Sequence, residues 1–293
     1  MDDSGHPFPT SFEPNKEPGA RRSSLIDCDT GAVSLHSLDV GASGSRIVFL
    51  HGLFGQGRNW MTIGKALADE HRVTMVDLPD HGRSPWTESF DYLAVADAVA
   101  DLIDGTDAAT VVGHSMGGKV AMLLALRHPE LVRRLVVADM SPVRYGRNPG
   151  GLARYAQALN RLDLVAVEAR EDADRLLERE VGDPTVRSFL LQNLRRDDGP
   201  ARWRWQANLA LLERDMPVIA DWPEEALAGV APYQGAVLWV AGGRSDYIAA
   251  EYEPAMQRWF PRYRKLVIKQ AGHWVHSEQP EIFTEAVRRF ARD

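Results

Sequence analysis

Residues Thr110–Ala121 read TVVGHSMGGKVA, and they are the most informative segment of the sequence. A short run of β-forming residues leads into Gly113, and a run with helical character follows Gly118. Between them Ser115 stands in the middle of the pattern G-x-S-x-G, which is typical of a tight turn from a strand into a helix. Such a turn presents the hydroxyl at the start of a helix, whose dipole favours developing negative charge. The motif therefore predicts a nucleophilic serine at position 115.

Outward from this motif, short β-type runs alternate with stretches of helical periodicity. The β-type runs are Ser34–Val40, Arg46–Leu50, Val73–Val76, Thr110–Val112, Leu135–Ala138, Ala236–Val240 and Leu266–Ile268. The helical stretches are Trp60–Glu70, Tyr92–Ile103, Lys119–Arg127 and Pro280–Arg292. This alternation predicts an α/β fold with a mostly parallel central sheet flanked by helices, in which the first run is an antiparallel edge strand.

The alternation stops between residues 143 and 231, where the sequence is rich in Arg, Asp, Glu, Leu and Ala and contains no clear strand. We predict that residues 143–231 form a helical cap, inserted after the strand Leu135–Ala138, which we count as strand 6. Residues 23–142 and 232–293 are then expected to form the α/β core. Residues 1–22 contain four prolines and are expected to be a flexible leader.

The composition excludes several classes of function. The chain has 293 residues and a net charge of −7, which argues against a nucleic-acid partner. No segment reaches the ~18 apolar residues of a spanning helix and no signal peptide is visible, so we expect no membrane partner and a cytoplasmic location. The single cysteine, Cys28, predicts neither an internal disulfide nor a metal site. No metal or other cofactor is expected, and the protein is expected to be a monomer or a homodimer.

A serine hydroxyl is a poor nucleophile near neutral pH unless a positioned base accepts its proton, so the motif requires a histidine later in the chain. His273 is the preferred base because it lies in a glycine-containing loop after the last predicted strand, where open α/β sheets place their ligands. His276 is the second choice and is expected to be structural.

The base needs a carboxylate that holds its tautomer and balances the imidazolium. Asp246 follows the strand Ala236–Val240 and fits the chain order serine, acid, histidine. Asp139 ends the strand Leu135–Ala138 and would point into the same crevice. These positions alone leave both aspartates open.

Acyl transfer also requires donors for the oxyanion of a tetrahedral intermediate. One candidate is the backbone N–H of Met116, the residue after the nucleophile. The other is the N–H of Leu53, in the glycine-rich loop His51–Gly55 that follows an early strand.

These features together resemble the α/β-hydrolase superfamily over nearly the whole chain, from about Ser34 to Asp293. The matching landmarks, in order, are His51-Gly52, residues 77–84 (DLPDHGRS), residues 113–118 (GHSMGG), residues 243–246 (GRSD) and Gly272-His273. Within the superfamily, the loop sequences are most similar to those of YbfF-type serine esterases. The resemblance implies a serine enzyme rather than an epoxide hydrolase or haloalkane dehalogenase, in which an aspartate stands at the position of Ser115.

Some positions depart from the YbfF-type pattern. In that group the residue matching Asp246 is commonly not acidic, and the aspartate matching Asp139 is the partner of the histidine. This sequence has both acids, and we favour Asp246 because the G-x-x-D pattern fits closely. Asp80 stands where relatives usually carry Gly or Asn. We expect Lys119 and Arg144 to be solvated residues rather than substrate ligands.

The resemblance also implies that the cap roofs the pocket and selects the substrate. Trp203 and Trp205 are expected on a helix, where they would face different sides, one lining the pocket and one packing on the core. The alternative is that both are ordinary core residues. Phe54, Met140 and Trp274 are expected to add apolar surface to the substrate pocket.

We therefore expect a serine hydrolase that cleaves carboxylic esters of small to medium apolar acyl groups through an acyl-enzyme. The alternatives with the same triad are a thioesterase, a C–C bond hydrolase and a cofactor-free haloperoxidase or perhydrolase. A remote alternative from another class is a non-catalytic ligand-binding protein on this scaffold.

Overall fold

The computed structural model describes residues 34–103, 105–146, 151–198 and 202–292. The predicted leader 1–22 and Cys28 lie outside these residues. The strands are β1 (Ser37–Val40), β2 (Ser45–Leu50), β3 (His71–Val76), β4 (Ala109–His114), β5 (Val132–Ala138), β6 (Leu194–Arg196), β7 (Trp203–Trp205), β8 (Ala236–Gly242) and β9 (Tyr263–Ile268). The α-helices are α1 (Met61–Leu67), α2 (Tyr92–Ala100), α3 (Met116–Arg127), α4 (Leu152–Asn160), α5 (Arg170–Leu177), α6 (Pro184–Leu191), α7 (Leu209–Arg214), α8 (Met216–Ala220), α9 (Glu253–Trp259), α10 (Val275–Glu278) and α11 (Pro280–Arg292).

The main sheet has the strand order β1-β3-β2-β4-β5-β8-β9. Only β1 pairs in the antiparallel sense, with β3, and the other neighbouring strands are parallel. The predicted α/β fold, with its mostly parallel sheet and an antiparallel first strand, is confirmed. Within the described residues the strand that precedes the insertion, β5, is the fifth along the chain rather than the sixth.

Apolar side chains cover both faces of the sheet. In β2, Ile47 and Phe49 pack in one hydrophobic cluster with α1 and α11, whereas Val48 and Leu50 pack in a second cluster with α2 and α3. Because alternate residues of a strand face opposite sides, a strand that is covered on both sides needs a continuous apolar run. This explains why the central strands are visible in the sequence.

The segment between β5 and β8 contains helices α4 to α8, and also a short antiparallel hairpin formed by β6 and β7. The prediction that Trp203 and Trp205 lie on a helix is therefore wrong. Residues two apart in a strand share a face, and both tryptophans pack in the larger hydrophobic cluster. This packing favours the alternative that both are core residues. None of the described helices combines the length and the hydrophobicity needed to span a bilayer.

Lys119, which the sequence analysis expects to be solvated, is buried. Its ammonium group donates hydrogen bonds to the backbone carbonyls of Ala220 at 2.9 Å and Asp221 at 2.6 Å, at the end of α8. Burial lowers the pKa of Lys119 to about 7, although the Asp221 carboxylate acts in the opposite direction. Lys119 thus ties α3 of the core to the inserted segment. Arg144 is exposed, as expected, and forms an ion pair with Asp221.

Asp80 forms a second link between the core and the inserted segment. Its backbone has a φ of +64°, in the left-handed region that Gly and Asn tolerate best among the residues, followed by Asp. Its fully buried carboxylate accepts hydrogen bonds from the Thr87 N–H at 2.8 Å and from the Asn208 side chain at 2.9 Å. The backbone conformation therefore gives a physical reason why an aspartate can replace Gly or Asn at this position.

Two buried histidines clamp the loops after β2 and β3 to each other. His51 accepts a hydrogen bond from the Leu78 N–H at Nε2 (3.0 Å), and His81 accepts one from the Phe54 N–H at Nε2 (3.2 Å). Each ring donates its Nδ1–H to a carbonyl in its own loop, that of Gly52 or Pro79. Protonation of Nε2 would remove both acceptors, so the clamp requires neutral rings. Burial lowers the pKa of both histidines and is the largest cause in each case; the pKa of His51 falls to about 3.

We expect this clamp to make the protein less stable as the pH falls. Between about pH 6.5 and pH 5 the unfolded chain takes up protons on both histidines, whereas their lowered pKa values reduce this uptake in the folded chain. These two groups should therefore lower the free energy of unfolding by up to about 2.7 kcal/mol per pH unit. Urea unfolding at a series of pH values measures this slope. The variant His81→Gln, which cannot titrate at this position, should reduce the slope by up to about 1.4 kcal/mol per pH unit. A free energy of unfolding that stays constant over this range would contradict the prediction.

Candidate active site

The turn between β4 and α3 places Ser115 in a strained conformation, with φ +52° and ψ −119°. Glycines make this turn sterically feasible. A Cβ on Gly113 would lie 2.1 Å from the carbonyl oxygen of Gly117, and a Cβ on Gly117 would lie 2.4 Å from the carbonyl oxygen of His51. Both distances are far below van der Waals contact, so side chains are excluded on either side of the serine. This is the tight turn that the G-x-S-x-G pattern predicts.

Ser115, His273 and Asp139 form a continuous hydrogen-bonded chain. The Ser115 hydroxyl lies 3.0 Å from Nε2 of His273, and Nδ1 of His273 lies 2.8 Å from Oδ2 of Asp139. With the proton on Nδ1, the imidazole donates to Asp139 and leaves Nε2 free to accept the proton of the hydroxyl. The three side chains come from the carboxyl ends of β4, β5 and β9 or from the loops that follow them.

Asp139 rather than Asp246 is the partner of His273. Asp139 is fully buried, and its carboxylate also accepts hydrogen bonds from the N–H of Gly242 at 2.9 Å and from the hydroxyl of Ser245. Asp246 is exposed and makes no hydrogen bond or ion pair with His273 within the described residues. The preference for Asp246 is therefore wrong. The loop after β8 does reach His273, but through Tyr247, whose ring stacks on the imidazole, while the side chain of Asp246 is exposed.

Tyr247 and His114 hold His273 from two sides. The ring of Tyr247 stacks on the imidazole, with ring centroids 4.0 Å apart and planes inclined by 23°. The carbonyl of Tyr247 accepts hydrogen bonds from the hydroxyls of Ser141 at 2.8 Å and Tyr145 at 2.6 Å. Nε2 of His114 donates to the carbonyl of His273 at 2.9 Å. Tyr247 directly follows the G-x-x-D motif, but no feature of the sequence predicts its contact with the imidazole.

The two proposed oxyanion donors are the N–H groups of Leu53 and Met116, two residues that line one cavity together with Ser115. Met116 is the first residue of α3, where an N–H has no acceptor within the helix. The N–H of Leu53 donates no hydrogen bond to any acceptor within the described residues. Its neighbour Gly52 lies close to Ser115, because a Cβ on Gly52 would lie 3.2 Å from the Cβ of Ser115. Both N–H groups therefore remain free to bind an anion.

The next residue, Phe54, is held by hydrogen bonds at both its N–H and its carbonyl. Its N–H is held by His81, as described above, and its carbonyl accepts a hydrogen bond from the side chain of Asn193 at 2.7 Å. Asn193 is buried and directly precedes β6 of the inserted segment. The position of the loop next to Leu53 thus depends on both the core and the inserted segment.

Two cavities include Ser115 in their walls. The first has a volume of about 500 Å³, and the second about 330 Å³, each counting the space at its mouth that is open to solvent. Leu53 and Leu152 line both cavities. Of the side chains that the sequence analysis expects in the pocket, Phe54 and Trp274 line the first cavity and Met140 lines the second. Trp203 and Trp205 line neither.

The inserted segment supplies much of the wall of the first cavity. Besides Leu152, its contributions are Tyr155, Val186, Phe189 and Leu190. Phe189 approaches Trp274 of the core, with ring centroids 6.2 Å apart. No sequence motif distinguishes these residues, because they are ordinary apolar positions of α4 and α6. The wall is mostly apolar, as in sites for uncharged ligands.

Two further polar side chains near the site, those of His276 and Tyr247, are buried or packed against other rings. His276 packs against Trp60, with ring centroids 4.4 Å apart, and burial lowers its pKa to about 3. In the second cavity the hydroxyl of Tyr247 is buried and has no partner within the described residues. Nowhere in the described ranges do three His, Cys, Asp or Glu side chains form a group able to hold a metal ion.

Comparison with known proteins identifies the family. The alpha/beta hydrolase fold family matches residues 45–280. The sn-1-specific diacylglycerol lipase ABHD11 of Mus musculus is 37% identical over 267 residues, which cover 88% of this chain and 84% of the relative. Esterase YbfF of Escherichia coli (strain K12) is 32% identical over 254 residues, which cover 85% of this chain and 94% of the relative.

A solved structure agrees with these relatives. The marine microorganism esterase superposes with a TM-score of 0.83 at 31% identity, covering 88% of this chain and 100% of that chain. The expected resemblance to YbfF-type esterases is thereby confirmed. The chain belongs to the α/β-hydrolase family and is a hydrolase that acts on ester bonds.

Proposed function

We propose that this hydrolase is a serine esterase that cleaves carboxylic esters of small to medium apolar acyl groups through an acyl-enzyme intermediate. The observation that supports this proposal is the hydrogen-bonded chain from Ser115 through His273 to Asp139, with distances of 3.0 and 2.8 Å. These are the distances over which a proton can be transferred directly.

The roles follow from the geometry. Ser115 attacks the ester carbonyl while Nε2 of His273 accepts its proton, and the imidazolium then protonates the leaving alcohol. Asp139 balances the charge of the imidazolium and keeps the proton on Nδ1. The N–H groups of Leu53 and Met116 bind the oxyanion, each such donor contributing roughly 2.7–4 kcal/mol to catalysis. Water then attacks the acyl-enzyme with the same groups.

The substrate class is supported by the walls of the two cavities. They are mostly apolar, and the buried ammonium of Lys119 beside the second cavity already donates to backbone carbonyls. An acyl group without charge is therefore preferred over an acidic one. We propose that residues 143–231 act as a cap that sets the length of this acyl group, because Phe189 and Leu190 of this segment line the first cavity. We also propose that Phe54, Met140 and Trp274 contact the substrate.

A working nucleophile is expected to react with a fluorophosphonate probe. Labelling should be lost in Ser115→Ala, and His273→Ala should lower the labelling rate by at least about 10³-fold because no base then accepts the proton. Gel fluorescence after timed labelling measures this, with circular dichroism to show that each variant is folded. A folded wild-type protein that resists the probe would instead favour a non-catalytic binding protein.

Replacing the two aspartates separately tests which one orients the base. Asp139→Asn should lower kcat/KM for an ester substrate by about 10²–10⁴-fold, since an amide no longer stabilises the imidazolium or selects its tautomer. Asp246→Asn serves as the matched control and should stay within about twofold of the wild type, because Asp246 is exposed and makes no contact with His273. The reverse order of effects would contradict the proposed role of Asp139.

A panel of p-nitrophenyl esters of increasing acyl length tests the role of the cap. Turnover should be greatest for short and medium chains, and Phe189→Ala should shift the preference to longer chains because it opens the wall of the first cavity. Trp205→Ala removes a comparable ring that lines neither cavity and should leave the preference unchanged. Turnover of thioesters without turnover of the matched oxygen esters would instead support the thioesterase alternative. C–C bond hydrolysis and peroxide-dependent oxidation are tested in the same way with their own substrates.

A further inference from the structure

A polar groove lies apart from the two cavities at Ser115, between the core and the hairpin β6–β7. Its volume is about 790 Å³, counting its open mouth, and its lining includes Arg58, Arg83, Arg195 and Gln56. None of these four residues lines either cavity beside Ser115. A groove of this size suits a small molecule or a headgroup rather than a polymer.

The arginines of this groove have no carboxylate partner within the described residues. Arg58 and Arg83 are exposed and form no ion pair. Arg195 is half-buried and donates to the carbonyl of Leu194 and to the side chain of Gln56. Burial and the nearby positive charges of Arg58, Arg170, Arg83 and Arg204 lower the pKa of Arg195. In a chain with a net charge of −7, such a cluster of unpaired positive charges forms a local site that attracts anions.

The one carboxylate of the lining, Asp77, does not neutralise these arginines. Its Oδ1 accepts a hydrogen bond from the N–H of Gly57 at 2.6 Å. Its Oδ2 accepts hydrogen bonds from the N–H of Arg83 at 2.8 Å and from Nδ1 of His36 at 2.9 Å. Backbone groups and a histidine therefore occupy the carboxylate, and the guanidinium groups of Arg58 and Arg83 keep their donors.

Gln56 supplies an independent observation. Its side chain is 3% exposed, and its Oε1 accepts a hydrogen bond from Nη2 of Arg195 at 3.1 Å. Its Nε2 is buried and has no acceptor within the described residues. A buried donor without an acceptor is unfavourable. An acceptor atom bound in the groove would accept the missing hydrogen bond from Nε2 of Gln56.

We propose that this groove binds a phosphate group, carried either by a small phosphorylated metabolite or by a lipid headgroup. Guanidinium forks match the oxygens of phosphate, and a neutral amide donor adds a further contact. Arg58 and Arg83 belong to the core, whereas Arg195 belongs to β6 of the inserted segment. A bound phosphate would therefore connect the two parts of the chain outside the two cavities at Ser115.

The test uses the full-length Ser115→Ala protein, so that binding is measured without turnover and does not depend on the proposed esterase function. Isothermal titration with glycerol 1-phosphate, at an ionic strength held constant with sodium chloride, tests the free metabolite. Sedimentation with phosphatidylcholine vesicles, with and without phosphatidic acid, tests the headgroup. We expect saturable binding in at least one of the two arms, and the arm that binds identifies the source of the phosphate.

Three variants separate this site from general charge attraction. The double variant Arg58→Gln/Arg83→Gln removes two exposed charges and should weaken binding at least about tenfold. Gln56→Met leaves the charge unchanged and should also weaken binding, while Arg264→Gln removes an exposed charge on β9 and should not. Thermal unfolding shows whether each variant is folded. Absence of saturable binding in both arms, or equal losses in the Arg264 and the double variants, would overturn the proposal.

Discussion

The close approach of the Ser115 turn to the end of β2 is the constraint on which the rest of the site depends. It brings α3 against the carbonyl of His51, a contact that leaves no room for a side chain at Gly117. The N–H of Ser115 donates to the carbonyl of Ala138 at 3.1 Å, which fixes the turn to β5 as well. The strained φ of the serine is thus maintained by three neighbouring strands. The same contacts bring the loop with Leu53, the nucleophile and Asp139 to one place.

Much of this arrangement could be predicted from the sequence because it depends on local rules. A strand buried on both faces must be continuously apolar, so β2, β4 and β5 are visible as runs. Glycines around a serine indicate a turn whose backbone has no room for side chains. The loop of His273 follows the last strand, where parallel sheets bring their functional residues together. These inferences need only the order of the elements along the chain.

The incorrect expectations concern tertiary contacts. Asp139 and Asp246 both follow strands, and only the folded paths of the two loops show that the Asp139 carboxylate meets His273 while Asp246 is exposed. Lys119 follows two glycines at the start of a helix, and nothing local shows that the end of α8 covers it. The hairpin was missed although residues 197–201 read DDGPA, a sequence rich in turn-forming residues. The arginines of the groove are spread along the sequence, so no basic run reveals them.

The two hydrogen bonds that hold the backbone of Phe54 limit how the inserted segment can be exchanged between proteins. His81 accepts a hydrogen bond from the N–H of Phe54, and Asn193 of the inserted segment donates one to the carbonyl of Phe54. The segment is therefore not an interchangeable lid that only shapes the space for a substrate. A graft from another hydrolase has to bring an amide to the place of Asn193, or the loop beside the nucleophile loses one of its two supports. A change in this segment is therefore expected to affect the loop that carries Leu53 as well as the wall of the first cavity.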